Sequence, residues 1–153
     1  MNQDSRLSRM LHVLLHMARH DRPFTSEQIA RMLRTNAVVV RRTLAGLRNA
    51  GLVQSEKGHG GGWTITRDLN HITLLDVHRA LGSPRVFAMG NDSAHPQCAV
   101  EAVVNVALDD AFRRAESLLV DRFAEVSLAS LARDFDQRCV AGGWGIEPPL
   151  DHG

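Results

Sequence analysis

Residues 36–66, NAVVVRRTLAGLRNAGLVQSEKGHGGGWTIT, decide the predicted fold. Asn36 is a favourable N-cap residue, because its side-chain oxygen can accept a hydrogen bond from a free backbone N–H of the first helical turn. Apolar residues then recur at helical spacing as far as about Asn49. Gly51 suits the left-handed conformation that commonly follows the end of a helix. The first half of the stretch is therefore predicted to be a helix.

The second half of the stretch predicts a β-hairpin. Residues 52–55 and 63–66 alternate apolar and polar side chains, as short half-buried strands do. Residues 56–62 between them contain four glycines and are too flexible for regular structure. Residues 52–66 are called the wing below.

Two shorter helical patterns precede this stretch. The first covers about residues 5–20 and ends before Pro23, since a residue that precedes proline is pushed out of the helical conformation. Thr25 or Ser26 then caps a second, short helix. The apolar residues expected to face the core are Leu7, Leu11, Leu14, Leu15 and Ala18 in the first helix, and Ile29, Ala30 and Leu33 in the second.

Three helices followed at once by a hairpin are the element order of a winged helix-turn-helix, whose third helix enters the DNA major groove while the loop contacts the adjacent backbone. A helical projection separates the third helix into two faces. The predicted core face holds Val40, Thr43, Leu44 and Leu47, and the opposite side holds Val38, Arg41, Arg42, Ala45 and Asn49.

The exposed side of the third helix and the wing carry the candidate DNA contacts. Arginines can bind guanine edges or neutralise phosphates, and consecutive glycines let backbone amides approach a phosphate closely. The alternative is a solvated basic surface without function. The candidate DNA-binding residues are Ser26, Thr35, Asn36, Val38, Arg41, Arg42, Lys57, His59 and Gly60.

Charge is distributed unevenly along the 153 residues. Residues 1–80 hold 12 Lys and Arg against 6 Asp and Glu, whereas residues 81–153 hold 6 against 11. A basic half joined to an acidic half indicates a nucleic-acid-binding part and a part with another role. Uneven surface charge without function is the alternative.

The remaining composition is ordinary for one globular domain with an extension. The hydrophobic fraction is 44%, and no apolar run is long enough for a transmembrane helix. Residues 1–9 do not resemble a secretory signal. Two cysteines are too few for a disulfide scaffold and suit a reducing compartment, so we expect a cytoplasmic protein.

Beyond the wing, Thr73-x-x-Asp76 is a capping-box variant before a helix that ends near Gly82. We expect a mainly α fold with a small β-hairpin, a winged helix-turn-helix joined to a long dimerisation helix. The predicted parts are a winged-helix DNA-binding domain (1–82), a linker loop (83–96), the dimerisation helix with a short C-terminal helix (97–136), and a disordered tail (137–153).

The longest helical pattern runs over about residues 97–123. A helix of this size is about 40 Å long, which is more than a small head domain can cover. Part of its apolar stripe is therefore expected to pack on another chain. The candidate dimer-interface residues are Val100, Val104, Ala107, Leu108, Ala111, Ala115, Leu118 and Leu119.

Taken together, these motifs resemble the Rrf2 family of bacterial winged-helix transcriptional regulators. The resemblance covers about residues 5–135 and implies a homodimer with crossing long helices and two heads that read a near-palindromic operator, most simply as a repressor. The matching motifs are Ser26-Glu27-Gln28-Ile29-Ala30, Leu44-x-x-Leu47-Arg48-x-Ala50-Gly51-Leu52-Val53-x-Ser55, Gly58-x-Gly60-Gly61-Gly62-Trp63, Ile72-Thr73-Leu74-x-Asp76-Val77, and Cys98.

Well-known members of the family hold an iron–sulfur cluster with three cysteines. Cys98 matches the last of these, but residues 83–97 contain no cysteine. Clusters depend on thiolates, so we expect none here and no other cofactor. Cys98 remains open to two interpretations, an inert core residue or a redox switch at a helix N-terminus. Cys139 is a weak candidate for the partner of such a switch, because it lies in the predicted tail.

His12, His16 and His20 recur every four residues on the first helix, opposite its apolar stripe. Such spacing can hold a divalent metal, although surface histidines without a metal are the simpler interpretation. A metal enzyme built on this row is a weak alternative, because few carboxylates lie nearby in the sequence. The main alternative to a DNA-binding regulator is a winged-helix protein-interaction module.

Overall fold

The computed structural model describes residues 4–87 and 95–142. It is mostly helical with one two-stranded antiparallel sheet, which confirms the predicted fold class. The elements are α1 Arg6–Arg19, α2 Ser26–Leu33, α3 Ala37–Asn49, β1 Val53–Glu56, β2 Gly62–Ile65, a 3₁₀ turn Leu69–His71, α4 Leu74–Ala80, α5 Ala99–Glu125 and α6 Leu128–Gly142.

The head domain packs α1–α4 and the wing around one core, with Leu14, Ile29 and Leu44 fully buried. The predicted inward face of α1 is partly wrong. Ala18 is exposed, and the buried face is Met10, Val13, Leu14 and Met17. Two apolar rows overlap on this helix, and Leu7 and Leu11 of the predicted row lie half-buried against the core.

Local capping chemistry sets the helix starts as predicted. Thr25 and Gln28 form a reciprocal capping box at α2, and Asn36 Oδ1 accepts a hydrogen bond from Val39 N–H at 3.0 Å at the start of α3. Gly51 follows α3 with φ 75°, a conformation that glycine adopts without strain. The helix-turn-helix therefore has defined ends.

The wing strands lie one residue away from their predicted positions, with Val53 opposite Ile65 and Glu56 opposite Gly62. The wing also makes a pairing that the sequence pattern does not show. Phe24 exchanges backbone hydrogen bonds of 3.1 and 2.8 Å with Trp63, which ties the wing to the chain before α2. Gly62 is required there, because an added Cβ would lie 2.6 Å from the Phe24 carbonyl oxygen.

The C-terminal helices contact the head at several points. Leu128 is fully buried, and its N–H donates to the Ile72 carbonyl at 2.8 Å. The prediction that α6 ends near residue 136 is wrong, since the helix continues to Gly142. Residues 143–153 of the predicted tail and 88–94 of the predicted linker lie outside the described residues. No helix in the described part of the chain is long and apolar enough to span a membrane.

Candidate nucleic-acid interface

The third helix presents one buried and one exposed face. Val40, Leu44 and Leu47 are at most 1% exposed, whereas Arg41 and Arg42 are exposed. Val38 is also exposed on the outer side, at 60%. Val40, Leu44 and Leu47 are buried as predicted, and Val38, Arg41, Arg42 and Asn49 are exposed as predicted. Thr43 and Ala45, which the helical projection assigns to opposite faces, are both half-buried. The helix thus offers two cations and an apolar side chain to a ligand, the side-chain types that contact base edges, phosphates and thymine methyl groups.

Arg41 is joined to α2 by an ion pair that the sequence analysis missed. Its Nη2 donates to Glu27 Oε1 at 2.8 Å, with both side chains more than half exposed. Fourteen residues separate the partners, so no helical spacing within one element indicates the pair. The side chain of the neighbouring Arg42 has no hydrogen bond or ion pair within residues 4–87 and 95–142.

Ser26 occupies a structural position. Its side chain is buried, and Oγ accepts a hydrogen bond from Trp63 Nε1 at 3.0 Å. The indole donor would otherwise be buried without a partner, so the contact locks the base of the wing onto α2. Ser26 therefore does not belong to the exposed surface on which the sequence analysis placed it.

Replacement of Ser26 with alanine should lower the free energy of unfolding by about 1–3 kcal/mol, because Trp63 Nε1–H loses its buried acceptor. Urea denaturation measures the change. Ser8→Ala is the matched control, since Ser8 lies exposed on α1 and should change stability by no more than about 0.5 kcal/mol. Unchanged stability of Ser26→Ala with weakened DNA binding would return Ser26 to the interface.

The loop between α2 and α3 brings two further candidate DNA-binding residues near α3, the proposed recognition helix. Thr35 is half-buried, and its N–H donates to the Ala30 carbonyl at 2.9 Å. Asn36 is exposed but uses its side-chain oxygen to cap α3. Each residue therefore has a local structural role, and Asn36 keeps its amide N–H₂ for a ligand.

The tip of the wing is exposed, with Lys57, His59 and Gly60 on its surface. Gly58 and Gly60 adopt positive φ, at 97° and 79°. No atom lies within 4 Å of an added Cβ at either glycine, so backbone conformation rather than crowding favours glycine there. The backbone can therefore approach a phosphate without interference from side chains.

Arg48 connects the recognition helix to the wing and was not among the predicted site residues. Its guanidinium lies 5.9 Å from the centre of the Trp63 ring, and Nη1 reaches Ser55 Oγ at 3.5 Å. The contact with Ser55 is at the limit of hydrogen-bond length, so it orients the Arg48 side chain more than it stabilises the fold. These two contacts lie between α3 and the base of the wing.

The histidine row of α1 is not uniformly solvent-exposed. His12 is exposed, and its Nε2 lies 2.9 Å from His16 Nε2, within hydrogen-bond distance. His16 is half-buried beside Phe135 of α6. The buried Nδ1 of His16 and Nε2 of His20 have no hydrogen-bond partner within the described residues. Metal binding by this row stays a prediction.

His16 should make the fold less stable in mild acid. Burial, with smaller contributions from the nearby charges of His12, His20 and Arg19, lowers the pKa of His16 below its ordinary value of 6.5. The unfolded chain takes up a proton at the ordinary pKa and the folded chain only at the lowered one, so stability is lost as pH falls through that window.

We therefore expect His16→Gln to lose less stability than the wild type between about pH 7.5 and about pH 5.5. Urea unfolding at the two pH values measures the difference. Equal losses in the two proteins would show that another group causes the acid sensitivity.

A family model agrees with this arrangement of helices and wing. The model of Rrf2, described as an iron-dependent transcriptional regulator, matches residues 3–134. The chain belongs to the Rrf2 family. Members of this family are transcriptional regulators, so the protein is a DNA-binding transcriptional regulator and not an enzyme.

Relatives of this Rrf2 protein have consistent names. YwnA of Bacillus subtilis (strain 168), named an HTH-type transcriptional regulator, is 31% identical over 125 residues, which cover 82% of this chain and 92% of YwnA. YffB of Lactococcus lactis subsp. lactis has the same description and is 29% identical over 134 residues. The match covers 80% of this chain and 81% of YffB.

Solved structures show the same fold. A crystal structure named as that of a DNA-binding protein is 30% identical, with a TM-score of 0.66 over 83% of this chain and 98% of its own. A transcriptional regulator from Lactobacillus plantarum has a TM-score of 0.72 at 22% identity, over 91% of this chain and 95% of its own. IscR from T. potens has a TM-score of 0.64 at 20% identity, over 88% of this chain and 88% of its own.

The iron in the Rrf2 description does not fit the residues of this chain. Iron–sulfur clusters are held by several cysteine thiolates, and the sequence has two cysteines. Cys98 is the N-cap of α5, where Sγ accepts from Glu101 N–H at 3.4 Å while the Glu101 carboxylate accepts from Gln97 N–H. Within residues 4–87 and 95–142, no three His, Cys, Asp or Glu side chains are placed to share a metal.

Cys98 is exposed in the single chain, so its interpretation as a buried core residue is wrong. The helix packs on the head only farther along, through contacts such as that of Phe123 with His78. A helix N-terminus stabilises a thiolate, and the redox interpretation therefore stays a prediction.

Proposed function

We propose that this Rrf2 protein is a homodimeric repressor, in which α5 holds two copies together and each α3 reads one half of a near-palindromic operator. The observation that supports the proposal is the surface of α5. None of its 27 side chains is buried in a single copy. A helix of that length without a buried face is unusual unless another chain covers it.

Several large apolar side chains lie exposed along α5. Val100 and Leu118, near its two ends, are 73% and 74% exposed, and Val103, Val104 and Val106 lie between them. A continuous apolar surface marks an interaction site. A second copy presents the same surface, and a two-fold pair would cover both helices at once. The predicted interface residues are exposed in the single chain except Leu119, which is half-buried.

Two-fold symmetry in the protein requires matching symmetry in the DNA. The proposed operator therefore has two inverted half-sites whose centres are one helical turn apart or a multiple of it. A dimer bound across a promoter excludes polymerase, which is the simplest route to repression. Binding to chromosomal DNA would place the protein in the cytoplasm. The proposed DNA-contacting residues are Thr35, Asn36, Val38, Arg41, Arg42, Lys57, His59 and Gly60.

Selection of random duplex DNA on the purified protein tests the proposal, and the bound sequences are read out with and without reductant. An enriched inverted repeat would support the dimeric regulator. Loss of that repeat on oxidation, and its retention by Cys98→Ser, would support a thiol switch. No enrichment at low salt would favour the protein-interaction alternative, since phosphate contacts make DNA binding strongest there.

A further inference from the structure

Glu27 places a negative charge beside the recognition helix. It lies in the first turn of α2, and its carboxylate accepts a hydrogen bond from Arg41 Nη2 at 2.8 Å. The side chains of Glu27 and Arg41 are 62% and 55% exposed. Of the two adjacent exposed arginines of α3, Arg41 is thus held by a carboxylate and Arg42 is not.

Stability alone does not account for this pair. Exposed ion pairs contribute only about 0–1 kcal/mol to folding. An acid in the first helical turn also interacts favourably with the helix dipole, but that interaction needs no arginine. On a DNA-binding surface the same carboxylate repels phosphates and weakens non-specific binding. The Glu27 carboxylate thus contributes little to folding and opposes binding to the DNA backbone. A role in discriminating between DNA sequences explains it best.

The contact leaves Arg41 suited to one kind of partner. A guanidinium is planar, and a charge-assisted hydrogen bond on one Nη restricts its rotation while its remaining donors stay available. Two donors in a fixed plane match the O6 and N7 acceptors of guanine. A phosphate accepts hydrogen bonds from many directions and gains less from a fixed donor.

We propose that Glu27 is a positioning residue that makes Arg41 a reader of guanine, whereas the unpaired Arg42 contacts phosphate. The inference rests on the proposed DNA-binding function. It predicts a guanine at one symmetric position of each half-site. Fixing the arginine before binding also lowers the entropy that it loses on contact with the base.

Selection experiments on three variants test the inference. Glu27→Gln should reduce the preference for guanine at that position by at least about 5-fold, and Arg41→Gln by about 5- to 150-fold, as expected for a bidentate arginine–guanine contact. Affinity of Glu27→Gln for random duplex should stay equal or rise. Arg42→Gln, the matched control one residue away, should keep the guanine preference and reduce the slope of log affinity against log salt by about one.

The outcomes separate the inference from the function on which it rests. Unchanged base preference in Glu27→Gln, with the wild type still enriching an operator, would overturn the role of Glu27 and leave the regulator intact. An equal loss of affinity for all sequences would also overturn it. No enrichment by the wild type would end the proposed function and this inference together. Circular dichroism melting of each variant confirms that the heads remain folded.

Discussion

Replacement of both Arg41 and Arg42 with alanine is expected to weaken binding to the selected operator by about 2–6 kcal/mol, since each arginine that reads a base or phosphate contributes about 1–3 kcal/mol. The two residues are neighbours, so the sum holds only approximately. Both side chains are exposed on α3 and do not contribute to the core, so the fold should be retained. Fluorescence anisotropy with a labelled operator at fixed salt measures the loss.

Replacement of both Arg133 and Arg138 with alanine is the control for the change in total charge, because both are exposed on α6, away from the helix-turn-helix. It should leave operator affinity nearly unchanged. If the α3 double variant binds the operator as tightly as the wild type, Arg41 and Arg42 do not contribute to DNA binding, and other residues of the head must contact the operator. A small loss that is equal for all sequences would restrict both arginines to phosphate contacts.

Much of the head could be predicted because its boundaries depend on chemistry within a few residues. Asn36 caps α3, Thr73 and Asp76 form the predicted capping box at α4, and Gly51 takes the left-handed conformation after α3. Each of these features joins a side chain to backbone groups no more than a turn away. The sequence contains such information directly.

Contacts between distant residues account for the errors. The pairing of Phe24 with Trp63 and the hydrogen bond from the same tryptophan to the buried Ser26 join residues that are far apart in the sequence. Phe135 of α6 covers His16 from the other end of the chain. Periodicity identifies which residues are apolar, but tertiary packing determines which of two overlapping rows on α1 becomes the core.

The candidate interface also contains features that the sequence predicts and features that only the structure shows. The outward position of Arg41 and Arg42 followed from helical projection, because the core residues of α3 recur at regular spacing. The Glu27 contact joins two helices across a turn and had no signature in either helix alone. A sequence pattern can thus identify the cations that face a ligand, whereas the groups that orient them require the structure.

Replacement of Ala111 with arginine is expected to split the proposed dimer. Ala111 is exposed near the middle of α5, where the predicted interface is continuous. A two-fold pairing would bury two unpaired guanidinium groups among apolar side chains, which costs several kcal/mol. Light scattering should show the mass fall from twice that of the chain to that of one chain. Operator affinity should fall as well, because a single head reads only one half-site.

Ala124→Arg is the matched control on the same helix. Ala124 is also exposed, but a helical projection places it away from the stripe that contains Ala111. The same change in size and charge at that position should leave the mass at twice that of the chain. Since the α5 side chain at either position contributes nothing to the core of the head, both variants should melt like the wild-type head. If Ala111→Arg keeps the double mass, the two copies do not meet on this face, and the apolar surface of α5 must serve a different partner.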